Sequence, residues 1–130
     1  MASEILVNDG GAPARIIPFE AGENIVAGDV LSITTAGKVV KADTDLAAGH
    51  IEYMAGVALV TTTSGDICSV ITGKGVVVRC NTDDVTAGKA LKVGSTAGRL
   101  TATTVLGHTC AVCLEDTGAA GLHKCLVIGG

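Results

Sequence analysis

One phrase occurs twice in this chain and constrains its fold more than any other feature. Ala27-Gly28-Asp29-Val30-Leu31 returns 60 positions later (27 to 87) as Ala87-Gly88-Lys89-Ala90-Leu91. A second phrase follows each copy: Thr35-Ala36-Gly37-Lys38-Val39 first, then Thr96-Ala97-Gly98-Arg99-Leu100. The likeness continues in Gly56-Val57-Ala58-Leu59 with Ser64-Gly65-Asp66 and Ser69-Val70-Ile71. These match Ala111-Val112-Cys113-Leu114 with Ala120-Gly121 and Cys125-Leu126-Val127. Matched phrases in the same order mark an internal duplication, here of two related β units, about 24–80 and 81–130.

Short β-type runs separated by turn residues recur from Asn24 onward at roughly the 8–12-residue spacing of sandwiches and barrels. The pattern predicts strands at 29–34, 38–42, 54–60, 67–72, 76–80, 90–93, 99–103, 109–114 and 123–128. Glycine in the two Thr-Ala-Gly turns supplies the positive φ of a tight reversal. The stretch 43–50 is too short and too glycine-bounded for a stable helix and reads as a longer connection. The expected fold is therefore all-β, a compact β-barrel, a β-tulip-like domain or a sandwich. With 130 residues the chain can bury a core without staples. That core must come from Val, Ile, Leu and Ala, since the chain has one Phe, one Tyr and no Trp.

Charge and leader signals exclude several functions. The formal net charge is −4 and the basic residues are scattered, so neither the basic footprint nor the stacking aromatics of a nucleic-acid binder are present. Glu4 and Asp9 stand where a signal peptide would be basic and then apolar. No segment nears the roughly 20 apolar residues of a membrane helix. Five irregularly spaced cysteines make a poor disulfide framework. The expectation is a soluble protein made in a cytoplasm, with no nucleic-acid or membrane partner.

Residues 1–20 differ from the rest, holding Pro13, Pro18, the Gly10-Gly11 pair and Phe19. They read as an extended N-terminal arm whose Ala14-Arg15-Ile16-Ile17-Pro18-Phe19 portion needs a partner surface. An edge strand of the sheet is the other reading, since proline confines a strand to an edge.

Catalytic constellations do not assemble. Gly73-Lys74-Gly75 lacks the upstream glycine, the following Ser or Thr and the helix of a phosphate loop, and reads as a hairpin turn. Ser64, Asp66 and the single histidines His50, His108 and His123 have no spacing that builds a nucleophile, a base and its orienter. Lys38 at a hairpin tip lacks the flanking residues of a biotinyl or lipoyl carrier lysine. The one chemically loaded stretch holds His108, Cys110, Cys113, His123 and Cys125. Zinc favours these ligands, and His123 and Cys125 share a strand face. Cys110 and Cys113, three apart in a strand, point to opposite faces. The alternative is a core in which free cysteine serves as a small hydrophobe. No cofactor is expected, and the zinc- or thiol-dependent module is the competing function.

Taken in order, the Ala-Gly-Asp-Val-Leu phrase, the Gly-Lys turn, Gly56-Val57-Ala58-Leu59, Ser64-Gly65-Asp66, Gly75-Val76-Val77 and the second round resemble the capsid decoration, or cement, proteins of tailed bacteriophages. The resemblance spans about residues 21–130. It implies a non-enzymatic virion protein, a homotrimer on the capsid exterior, that binds the major capsid protein and stabilises the head lattice. It also gives the arm a role in docking, with Arg15, Ile16, Ile17 and Phe19 as capsid-contact candidates.

Overall fold

The computed structural model of the chain describes residues 5–6, 14–34, 36–42, 54–103, 109–116 and 118–128. Ten strands and no helix are found among them: β1 Arg15–Glu20, β2 Val30–Ile33, β3 Val39–Lys41, β4 Gly56–Ala58 and β5 Ile67–Thr72 in the first half. The second half holds β6 Val77–Thr82, β7 Ala90–Val93, β8 Leu100–Ala102, β9 Ala111–Cys113 and β10 Gly121–Val127. All nine strands expected from the β-run pattern are present, most of them trimmed by a residue or two. The connection 43–50, His50 and His108 lie outside the described residues.

The first five strands form one sheet in the order β1-β5-β4-β2-β3, and the last five close into a barrel in the order β10-β6-β8-β7-β9. Written from β6 the second order is β6-β10-β9-β7-β8, the same as the first, so β1 to β5 correspond one by one to β6 to β10. The registers agree residue by residue. Leu31 faces Lys41 and Gly56, and Leu91 faces Ala102 and Ala111. Val57 faces Ile71, and Val112 faces Leu126. Glu20 faces Ile67, and Asn81 faces Leu122.

Closure comes from one short parallel contact. In the second unit Thr82 of β6 pairs with Leu100 of β8, which joins the two ends of the sheet. Ala21 and Val39 make the equivalent parallel bridge in the first unit, just past the end of β1. The second unit is thus a small closed barrel of five strands, and the first an open five-stranded sheet whose ends approach each other only at that isolated bridge.

This equivalence revises two expectations. Arg15–Glu20 is not a free arm: it is antiparallel to β5 over its whole length and is the counterpart of β6. The edge-strand reading of that stretch is the one observed, with Pro18 where a missing N–H does not break the β5 ladder. The repeat also divides at the Gly73–Gly75 turn before β6, and not at residue 80, because β6 belongs to the second unit.

Two apolar clusters fill the molecule. Ile25, Leu31, Val39, Ala58, Cys68 and Val70 pack inside the first unit, with Phe19 and Ile33 against them. The larger cluster runs from the interior of the second unit, at Leu91, Val93, Leu100, Cys113 and Cys125, into the seam between units at Val30, Val57 and Ile71. Each fully buried Leu, Val or Ile side chain stabilises by roughly 1.5–3 kcal/mol, and such residues supply nearly all of this core. The N-terminus contributes as well: Ile5 is buried in the seam cluster, its carbonyl accepts the Arg79 N–H at 2.7 Å, and Leu6 bridges to Val78.

Candidate functional site

Strand β1 presents the first candidate surface. It pairs with β5 along one flank, and Ile16 and Ile17 remain 49% and 38% exposed beside an exposed Arg15. The Arg15 carbonyl accepts a hydrogen bond from Thr72 Oγ1 at 3.4 Å. Phe19 differs from its neighbours: it is half-buried and packs on the inner cluster of the first unit, so its ring belongs to the fold. Three of the four residues singled out in the sequence are therefore accessible, Arg15 and Ile17 on the face of β1 that Phe19 shares and Ile16 on the opposite face.

The flank of β1 that faces away from β5 can be compared with that of β6. On β6 the outward Arg79 N–H is taken by the Ile5 carbonyl. Its counterpart is Pro18, which has no N–H to offer. Proline at that position protects an exposed strand from indiscriminate pairing and leaves side chains, rather than backbone donors, to make contacts there.

The cysteine–histidine stretch is reorganised by the fold. Cys113 and Cys125 are cross-strand partners with no exposure, and Cys80 sits beside them across from His123. Cys80 was not in the sequence-derived group, because it lies thirty residues upstream of Cys110. The signal that would have found it is the repeat itself, in which Cys80, Cys113 and Cys125 stand where Phe19, Ala58 and Val70 stand in the first unit. Cys110 is buried apart from this trio, its thiol hydrogen-bonded to the backbone at Val93 and Met54. Cys110 lies just before β9, whereas Cys113 is its last residue.

The thiols of Cys110, Cys113 and Cys125 are held protonated. Burial pushes the Cys110 and Cys113 thiols up from their ordinary range. Cys125 is raised furthest, first by its hydrogen bond with the Cys80 thiol and then by burial. Cys113 Sγ donates to the Glu115 carbonyl at 2.9 Å and Cys125 Sγ to the His123 carbonyl at 3.6 Å. A nucleophile or a metal ligand needs the thiolate, which this interior disfavours. His123 is engaged elsewhere, with Nε2 2.8 Å from the Ala119 carbonyl and Nδ1 3.7 Å from Glu115 Oε1. Among the described residues no three His, Cys, Asp or Glu side chains gather in the arrangement of a metal site.

The two lysines weighed in the sequence have ordinary settings. Lys38 forms an ion pair with Glu20 at 3.0 Å on the surface. Gly73-Lys74-Gly75 is the β5–β6 turn, with both glycines at positive φ. Lys74 borders a half-open cleft of about 160 Å³ lined also by Met54, Val57, Ile71 and Val127. That volume falls below the roughly 300 Å³ at which small-molecule sites begin.

The geometry defines an all-β protein of two duplicated five-stranded units with an exposed strip on its first strand. No protein-family model matches the sequence, and no characterised relative matches it. Among solved structures it is similar to the N base of head fiber gp8.5 of bacteriophage phi29, at a TM-score of 0.66 and 14% sequence identity. The similarity covers 88% of this chain and 94% of that one. It extends across both units and establishes a shared fold.

Proposed function

We propose that this chain is a structural, non-catalytic virion protein of a tailed phage, a homotrimer that binds the major capsid protein on the outer face of the head and stabilises the lattice. The observation that carries the reading is the end-to-end fold likeness to a phage head-fiber base. The order of the sequence phrases supports the same reading independently. The interior supports it too: Cys80, Cys113 and Cys125 are buried, and the thiols of Cys113 and Cys125 are pushed above their ordinary range.

The docking surface in this reading is the accessible edge of β1, which the capsid protein would straddle to reach Arg15 and Ile17 on one face and Ile16 on the other. Two half-exposed isoleucines can each add about 1–2 kcal/mol when covered, enough to dominate a small contact. The test is co-sedimentation with purified heads of the source phage. Ile16→Asp combined with Ile17→Asp is expected to weaken binding by at least about 10-fold while the melting temperature stays within a few degrees. Unchanged head binding by that variant would remove β1 as the docking strip, and failure of the native chain to bind heads would remove the function.

A further inference from the structure

The duplication gives two copies of every surface, and the seam inside the molecule covers only one of each. At the seam the second unit lies against the start of β2 in the first. Asn81 Nδ2 donates to Asp29 Oδ1 at 2.8 Å and the Asn81 N–H donates to the Gly28 carbonyl at 2.9 Å. The Val30 N–H donates to the Gly98 carbonyl at 3.0 Å, and the Gly98 N–H to the Ala42 carbonyl at 2.8 Å. The Leu122 side chain packs so closely over Gly28 that a Cβ there would collide with it.

The counterparts of these groups are uncovered. Ile67, the equivalent of Leu122, is 62% exposed. Gly88, the equivalent of Gly28, is exposed with open space where a Cβ would go. Gly98 is buried against Asp29, whereas Gly37 at the same turn of the first unit meets nothing. On the receiving face Val57 and Ile71 are buried in the seam, while Val112 and Leu126 at the same register positions are half-exposed. The polar pair changes in a complementary way: Asn81 and Asp29 become Glu20 and Lys89, an acid and a base, both exposed.

We infer that copies of this chain associate head to tail by repeating the internal seam, the Glu20, Ile67 and Gly37 side of one first unit seating on the Gly88, Lys89 and Val112 face of the next copy's second unit. Ile67 then covers Gly88 as Leu122 covers Gly28, and Glu20 pairs with Lys89 where Asn81 meets Asp29. The contact is heterologous, so it forms a closed ring if its rotation closes. A ring of three copies is the trimer of the proposed function, which this contact deepens. The inference itself rests on the repeat, and not on capsid binding. It leaves Arg15, Ile16 and Ile17 at the other end of β1 free for the capsid.

The test uses the full chain alone in solution, with its mass read by native mass spectrometry and sedimentation. Wild type is expected to associate, and Glu20→Lys or Lys89→Glu alone to weaken association by at least about 10-fold, since each sets like charges opposite one another. The double reversal, Glu20→Lys with Lys89→Glu, is expected to restore it, which loss of the exposed Lys38 ion pair could not explain. Ile67→Asp supplies an independent probe and is expected to give a folded monomer. A wild type monomeric at roughly 100 µM, single reversals that leave the mass unchanged, or a double reversal that fails to restore association would each overturn the inference. Association without head binding would overturn only the capsid function.

Discussion

Cys80, Cys113 and Cys125 fill the second unit where Phe19, Ala58 and Val70 fill the first, so they act as packing atoms. The folded-state values of Cys113 and Cys125 lie above the ordinary 9.0 of a thiol, so the folded state keeps protons that the unfolded state gives up. Stability from this source is complete below about pH 9 and is lost as pH rises beyond it. The melting temperature is therefore expected to hold to about pH 9 and to fall as pH rises beyond it, and to fall less in Cys125→Val, which restores the residue of the first unit and costs under about 1.5 kcal/mol at neutral pH. A pH slope identical in wild type and variant would contradict the assignment. At this scale the sequence showed the β-forming runs that hold Cys113 and Cys125. It did not show Cys80, because spatial neighbours set by β6 pairing leave no mark in local spacing.

Gly28 and Gly88 open equivalent β2 and β7 segments, and both have positive φ, +93° and +83°. Only Gly28 lies under a neighbouring side chain, that of Leu122. Gly88→Ala is expected to cost about 1–2 kcal/mol for backbone strain alone. Gly28→Ala adds a collision in the seam and is expected to cost at least about 1 kcal/mol more by denaturant unfolding. Equal losses would mean that the seam is not packed as described. Strands β2 to β10 were legible because their β-branched runs alternate with turn glycines. Strand β1 was ambiguous for a physical reason: an edge strand with Pro18 and three exposed hydrophobic or cationic side chains has the composition of a docking arm. Only its pairing with β5, and its correspondence to β6, place it in the sheet.

For the whole molecule, the duplication was readable in the repeated Ala-Gly and Thr-Ala-Gly phrases, and with it the all-β class. Closure of the second unit into a barrel was not, nor the matching bridge of the first, because they depend on single parallel contacts, Thr82 with Leu100 and Ala21 with Val39, between residues that carry no shared pattern. The same contacts explain why the repeat boundary falls before β6. The proposed role, a structural protein that holds other proteins together in the virion, is the central claim. Its most direct test is the copy number of this chain in purified particles of its source, measured against the major capsid protein by quantitative mass spectrometry. A fixed ratio reproduced between preparations, in multiples of three per occupied lattice site, is the predicted result; absence of the chain from purified particles would contradict the account.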